Sequence, residues 1–401
     1  MMKSSFLNHK DGKNSVMKQR ILGLCVSEGD YSLADLSKEL NSSIPTITKL
    51  VGELIDEGFL IDMGKLDTNG GRRPSIYGLN PEAGYFVGIN AGKDGLSIAV
   101  TDFKGKLMTS IDSLRFFLES SEESFIQMCG IIKDYLSENE IEMSAVLAYG
   151  LNVTGRVNHQ TGYSFIYDLG KEKSIPSLME AELGAPVYLE NDSRAMTYGE
   201  YISGASGKTK DMLFLNVSWG LGMGIIMDGN LVYGKSGFSG ELGHLPVLNN
   251  NQICQCGKTG CLETGASGRA LHRMIMEKLE SGRSSVLSEK FEKNEKISLC
   301  DIMDAIHQED MLAIETLEEI GTTLGRAIAG MVNLFNPEVV VVGGFLANAQ
   351  EYLLLPIRSA LQKFSLSIIN RDTEIRFSKL GKKAGPLGAC ILSRTKLLGL
   401  I

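Results

Sequence analysis

The chain has 401 residues, 43% of them hydrophobic and 22% charged, with a formal net charge of −8; that is an ordinary globular balance and enough length for two or three domains with full cores. The negative balance excludes a molecule that holds nucleic acid by overall charge, so any DNA contact must be local. No apolar run reaches the roughly 18 residues of a membrane helix, the N-terminus MMKSSFLNHKDGKNS lacks the apolar stretch of a signal peptide, and seven cysteines, an odd number, fit a reducing cytoplasm.

Three helical patterns come first. Residues 14–26 carry Val16, Ile21, Leu22 and Leu24. Ser32 to Asp35 reads as a capping box that opens a short helix ending near Leu40. Ser43 caps a third helix, with Pro45 in its first turn, where a missing N–H does no harm. Ile44, Ile47, Leu50, Val51, Leu54 and Ile55 form one apolar face of it. Pro45, Thr46, Thr48 and Lys49 lie on the other face, near Ser43, where a recognition helix meets base edges. Residues 59–63 and 75–79 then read as a hairpin. Its tip holds Gly70, Gly71, Arg72 and Arg73, and the two arginines suit a wing that reaches phosphates or the minor groove. Residues 1–80 therefore read as a winged helix-turn-helix DNA-binding domain, with a small helical dimerisation module as the alternative. They carry ten Lys/Arg and ten Asp/Glu. That balance caps non-specific affinity and asks a second copy in a dimer to supply the rest.

From Tyr85 the pattern changes. YFVGINAGKDGLSIAVTDFKGKLM reads as three strands joined by turns, followed by a helix over about 121–137, the strand AVLAYGLNV, a helix near 175–183 and the strand PVYLEN. Strands alternating with helices after an opening meander imply a mixed α/β sheet covered by helices. No internal repeat is visible in the sequence.

Residues 240–263, GELGHLPVLNNNQICQCGKTGCLE, concentrate the chemistry. They hold Cys254, Cys256, Cys261, His244, Glu241 and Glu263. Three thiolates and an imidazole in one short loop predict a tetrahedral structural zinc site with ligands His244, Cys254, Cys256 and Cys261. Gly257 and Gly260 allow the reversal that turns the sulfurs inward. Three buried free thiols are the plainer alternative, which the polar, turn-prone surroundings disfavour.

Gly-Glu-Leu-Gly-His followed by Cys-x-Cys-Gly-x-x-Gly-Cys-x-Glu resembles the signature of the ROK family (repressors, open reading frames, kinases), and GGRRPSIYGLNPEAGY resembles the wing and junction of its repressors. The resemblance covers nearly the whole chain. It implies a two-lobed actin-like (ribonuclease H-like) sugar-kinase fold behind the winged helix-turn-helix. The first lobe is expected over 81–205, with a C-terminal helix over 387–398 returning to it, and the second over 206–386 with the zinc loop. The cleft between lobes is the expected ligand site.

The resemblance also assigns roles. Asn191, Asp192, Glu241, His244 and Glu263 match residues that hydrogen-bond sugar hydroxyls, and a carboxylate can accept from two adjacent hydroxyls. Asp192 matches the family's catalytic base, or serves binding alone, and Asn191-Asp192 also suits a helix cap. His244 has one ring nitrogen for zinc and one for the ligand, or a purely structural role. Asn90, Gly92 and Lys93 stand at the family's first phosphate loop, Gly220 and Gly222 at its second, and Gly343 and Gly344 at its adenosine turn. Asn90 replaces an aspartate, and Trp219 replaces the threonine of the second loop. Both losses argue against bound ATP and magnesium. The chain therefore reads as a sugar-responsive transcriptional regulator, a repressor of carbohydrate uptake or catabolism genes. Operator DNA, a monosaccharide or sugar-phosphate effector and a second or further copies of the chain (dimer or tetramer) are its expected partners, and the membrane is not one. An ATP-dependent sugar kinase with an appended regulatory domain is the alternative, and a scaffold sensing through a protein partner a lesser one.

Overall fold

The computed structural model describes residues 12–65, 74–93, 95–170, 174–204 and 209–400. They group into two compact units, one of residues 1–153, 161–190 and 389–401, the other of 154–160 and 191–388.

The first unit opens with three helices, α1 (Lys13–Ser27), α2 (Leu33–Glu39) and α3 (Ile44–Asp56). Ser32 and Ser43 start α2 and α3 as their sequence predicts. Ser32 Oγ accepts the Asp35 N–H at 3.2 Å, and Ser43 Oγ accepts the Thr46 N–H at 3.4 Å. Lys18 of α1 is buried with its ammonium 2.9 Å from Glu53 and 2.6 Å from Glu57, which ties α1 to α3. Strands β2 (Leu60–Lys65) and β3 (Ser75–Leu79) pair antiparallel, and a two-residue strand β1 (Tyr31–Ser32), too short for any sequence pattern, joins the far side of β3. The tip with Arg72 and Arg73 lies outside the described residues. One expectation fails here: Ile44 does not join the apolar face of α3 but is 51% exposed. Ile47, Leu50, Val51 and Leu54 are the buried ones. Helical period tells which stripe faces inward, not how far the packing partners extend, and the first turn is exposed among the described residues.

The core of this module does not stop at residue 80. Ile21, Leu36, Ile47, Leu54 and Phe59 are continuous with Phe86, Phe103, Ala148, Cys390 and Leu398. Phe59 and Phe103 have ring centroids 5.5 Å apart, and Phe86 and Phe103 6.0 Å. Phe103 lies just beyond a sheet of β4 (Tyr85–Gly92), β5 (Gly95–Asp102), β6 (Leu107–Leu114), β7 (Val146–Val153) and, after two short strands β8 (Val157–Asn158) and β9 (Tyr163–Ser164), β10 (Val187–Asn191), in the order β10-β7-β4-β5-β6. β4, β5 and β6 form an antiparallel meander, and β7 lies parallel to β4. Helices α4 (Glu122–Glu138) and α5 (Ile175–Leu183) belong to this unit.

The second unit holds α6 (Asp192–Ser203), which the sequence placed with the first lobe, and a sheet of β11 (Met212–Val217), β12 (Leu221–Met227), β13 (Asn230–Leu231), β14 (Val339–Gly343) and β15 (Glu374–Phe377) in the order β13-β12-β11-β14-β15. Counting each sheet's strands by appearance, both run third, second, first, fourth, fifth. The repeat that the sequence hides is thus a repeat of topology: a fold needs only matching polar and apolar patterns, not matching residues. All five residues of β14 are buried, as expected for a parallel strand covered on both faces. Helices α7 (Gly268–Glu280), α8 (Ser288–Glu292), α9 (Leu299–His307), α10 (Met311–Phe335), α11 (Glu351–Phe364) and α12 (Ser367–Asp372) follow. The closing helix α13 (Ala384–Leu397) gives its first residues to this unit and the rest to the first. There Cys390 Sγ sits 3.4 Å from the Phe86 carbonyl and 3.3 Å from that of Ala99. Leu400, just past α13, lies against Gly23 of α1. No described helix is long and apolar enough to cross a membrane.

The shared core predicts coupled stability. Phe103→Ala removes a fully buried ring and is expected to cost about 3–5 kcal/mol, and hydrogen exchange should speed up in α1–α3 as well as in the sheet. Unchanged protection in α1–α3 would mean that the helical module folds independently.

Candidate metal centre and ligand site

The stretch Gly240–His244 is shaped by β12. Gly240 has φ +84°, and a β-carbon on it would stand 2.1 Å from the Met223 carbonyl oxygen; one on Gly243 would stand 2.4 Å from that of Leu221. Only a chain without side chains at these points lies so close to the strand. The turn Leu242–His244 buries Leu242, while Glu241 stays exposed and His244 half-exposed.

The cysteine loop folds back as a small antiparallel pairing. Isolated bridges join Pro246 to Cys261 and Ile253 to Thr259. The Cys254 N–H donates to the Lys258 carbonyl at 2.8 Å, and the Leu248 N–H to the Gly260 carbonyl at 3.0 Å. The four predicted ligands converge, and their donor atoms all lie within 4.8 Å of one another. His244 Nδ1 is 3.5 Å from Cys254 Sγ, and the Cys256 and Cys261 sulfurs are 3.6 Å apart. A tetrahedral ion with Zn–S of about 2.3 Å and Zn–N of about 2.0 Å sets its ligand atoms about 3.5–3.8 Å apart. The donor set therefore fits a metal in both chemistry and spacing.

From the other ring nitrogen a chain of polar contacts runs across the unit. His244 Nε2 is 3.7 Å from Glu241 Oε2, and Arg156 Nε is 3.8 Å from that same oxygen. The neighbouring Gly155 carbonyl accepts from Asn191 Nδ2 at 2.8 Å. Asn191 also caps α6 by accepting the Arg194 N–H at 3.1 Å, and donates to Asp192 Oδ1 at 3.0 Å. Asp192 Oδ1 receives the Ser193 N–H at 2.7 Å. Burial pushes the Asp192 carboxyl up to about 6, with the Ser193 bonds, the Arg194 charge and the Asn191 amide pulling the other way. A carboxyl poised there marks a functional candidate.

Two arginines of this arrangement were not foreseen. Arg156 bridges two segments that the sequence keeps apart. Arg194 is buried; its guanidinium donates to the Val157 carbonyl at 3.0 Å and to that of Gly237, and lies 5.6 Å over the Tyr233 ring. Neither has a spacing signature, because each acts on partners more than thirty residues away.

Glu263 is more committed than the sequence suggests. It is buried, one oxygen accepts the Leu221 N–H at 3.1 Å, and the other lies 3.1 Å from Arg269. The expected phosphate-loop glycines also have packing duties. A β-carbon on Gly222 would stand 2.1 Å from Ser193 Oγ, so this glycine lets α6 rest on β12. The Ser218 and Trp219 carbonyls accept the Gly268 and Arg269 N–H groups at 2.8 and 3.0 Å, and the indole lies 6.0 Å from the His272 ring. Gly343 abuts Phe214, and Gly344 has φ +85° at the turn out of β14. In the first unit, Asn90 sits within β4 opposite Ser97 and Asn152, its Oδ1 buried without a hydrogen-bond partner among the described residues; Gly92 ends the strand and Lys93 is exposed. Ser43, Pro45, Thr46, Thr48 and Lys49 are all exposed on α3.

The Asp192 environment predicts a pH effect. Between its ordinary 3.8 and about 6 the folded chain holds a proton that the unfolded chain has released, so this group's contribution to stability falls as pH rises through that window. Asp192→Asn should stabilise the ligand-free protein at pH 8, by up to about 3 kcal/mol, with the gain shrinking as pH falls from 7 to 5. A gain independent of pH in thermal unfolding would contradict the raised carboxyl.

Known proteins share this framework. The sequence profile of the ROK family matches residues 86–396. The xylose repressor of Caldicellulosiruptor bescii is 29% identical over 387 residues, 95% of this chain and 96% of that protein. The crystal structure of a ROK family transcriptional regulator, described as a homologue of the Escherichia coli Mlc protein, superposes with a TM-score of 0.79 at 27% identity over 96% of both chains. A ROK family glucokinase from Streptomyces griseus, solved with glucose and AMPPNP, gives 0.67 at 26% identity, covering 78% of this chain and 100% of its own. The chain belongs to the ROK family.

Proposed function

We propose that the chain is a sugar-responsive DNA-binding transcriptional regulator that represses carbohydrate uptake or catabolism genes. The observation that carries this reading is the full-length match to a named repressor and a regulator structure, where the glucokinase match covers only 78% of the chain. The segment ahead of the family profile, residues 12–85, is the three-helix and hairpin module, a winged helix-turn-helix in this reading. Ser43, Pro45, Thr46, Thr48 and Lys49 face DNA from α3, and Arg72 and Arg73 do so from the wing. The chain works in the cytoplasm as a dimer or tetramer on a symmetric operator, which suits seven cysteines of which none forms a disulfide.

In this reading Asn191, Asp192, Glu241, His244 and Glu263 bind a monosaccharide or sugar phosphate. Glu263 does so with acceptor capacity left over from Leu221 and Arg269. His244, Cys254, Cys256 and Cys261 hold one structural zinc that fixes the loop bearing Glu241 and Glu263. A sugar kinase with a regulatory domain is the second reading. What favours it is a carboxyl held near 6 at the position of the family's catalytic base. Asn90, Lys93 and Trp219 weigh against it, because they depart from the family pattern at both phosphate loops: Asn90 lacks the metal-facing carboxylate and Trp219 the phosphate-binding hydroxyl on which phosphoryl transfer depends, although Lys93 keeps a point charge for a phosphate.

Elemental analysis of protein purified without added metal should find about one zinc per chain; less than about 0.2 equivalents of any transition metal contradicts the site. Full-length protein should enrich a palindromic sequence from random duplex DNA, and Arg72→Ala with Arg73→Ala should flatten the salt slope by about one unit per lost phosphate contact. A thermal-shift panel of pentoses, hexoses, amino sugars and their phosphates identifies the effector. Glu241→Ala should then weaken its binding by about 1–3 kcal/mol. ADP release at the ordinary enzyme rate of about 1–10³ per second, abolished by Asp192→Asn, would overturn a repressor-only reading and make the chain a bifunctional kinase.

A further inference from the structure

The hydroxyls in the first turn of α3 are engaged within their own helix. Ser43 Oγ and Thr46 Oγ1 lie 2.9 Å apart and pair with each other. The Thr46 N–H is directed to Ser43 Oγ at 3.4 Å, and the Ile47 N–H donates to the Ser43 carbonyl at 3.0 Å. Pro45 has no N–H. Thr48 Oγ1 donates back to the Ile44 carbonyl at 2.8 Å. Each short polar side chain that the sequence offers as a base reader thus already has a partner in its own helix, which leaves one hydroxyl proton of the Ser43–Thr46 pair and spare acceptor sites for DNA. Beside them the 51% exposed Ile44 side chain and Pro45 add an apolar surface, with Thr46 and Thr48 exposed as well. Lys49 keeps its charge, 3.9 Å from Glu53 and 68% exposed, and an ammonium there meets phosphates regardless of sequence.

Ile44 also has no structural reason to be isoleucine. Among the described residues it packs into no core, its neighbour Pro45 already favours the helix start, and a β-branched residue adds nothing to helix propensity. An exposed apolar tip at the N-terminal end of a recognition helix matches one feature of a base edge, the C5-methyl of thymine in the major groove.

We propose that Ile44, with Pro45 and the threonine methyls, reads thymine methyl groups in the operator half-site, and that Ile44 determines specificity. This rests on the DNA-binding reading above. The module then divides its labour: Lys49 and the wing arginines supply sequence-independent attraction, and the tip of α3 selects by shape and methyl contact.

Replacing thymine by uracil removes only the methyl. Full-length protein is used to enrich a site from random duplex DNA. The site is then resynthesised with each thymine in turn replaced by uracil, and affinities are measured by fluorescence anisotropy. At one or more thymines in each half-site, uracil should weaken wild-type binding about 4-fold, the value of one buried methyl. Ile44→Ser should bind the parent site more weakly by a similar factor and lose the uracil effect, with an unchanged salt slope and thermal midpoint; Ile44→Val should keep most of the discrimination. A wild-type site indifferent to uracil, or a uracil effect that survives Ile44→Ser, overturns the proposal while leaving the DNA-binding reading intact. Enrichment of no DNA at all overturns both.

Discussion

The turn Leu242–His244 lies so close to β12 that Gly240 and Gly243 have no space for a β-carbon, and the arrangement of the second unit follows from that contact. It fixes where Glu241 and His244 leave the backbone. His244 then faces the cysteines through one nitrogen and Glu241 through the other. Glu241 meets Arg156, whose neighbour Gly155 is held by Asn191, the cap of α6. The same helix rests on β12 because Gly222 clears Ser193. Cysteine loop, cap and raised carboxyl are therefore anchored to one strand, so a shift in one is felt by the others.

Several charges in this unit are buried, and each is answered. Glu200 receives Ser378 Oγ at 2.7 Å and the Lys379 N–H at 3.0 Å. Glu263 lies between a backbone N–H and Arg269, and Arg194 is satisfied by two carbonyls. Such groups add little net stability, since desolvation offsets most of their attraction. Their value is in specifying geometry. A slipped register would leave a buried charge unpartnered, at a cost of several kcal/mol. Asp192 differs: its bonds do not fully offset burial, and its carboxyl stays raised. A group left under-stabilised next to a network of satisfied ones is where a ligand hydroxyl has most to offer.

Much of this was legible in the sequence because the signals are local. The Cys-x-Cys-Gly-x-x-Gly-Cys spacing brings its own ligands together, and Ser32 and Ser43 announce the helices they cap. What stayed hidden is what depends on distant partners. Arg156 and Arg194 work across loops. Gly222 looked like part of a phosphate loop and is also the seat of a helix. Ile44 follows the apolar period of α3 yet is 51% exposed among the described residues. The duplicated strand order left no trace, because the pattern that sets a strand order tolerates almost any residues that fit it. The core running from Phe59 through Phe103 into the first sheet was equally invisible, since a change of motif at residue 80 says nothing about which side chains meet across it.

In the proposed function a metal-fixed loop holds the sugar-sensing residues while α3 contacts DNA. This is tested most directly by measuring operator affinity as a function of sugar, before and after a chelator removes the bound metal. Intact protein should change its operator affinity with sugar, and metal-free protein should still bind the operator but no longer respond. An undiminished sugar response in verified metal-free protein would contradict this reading.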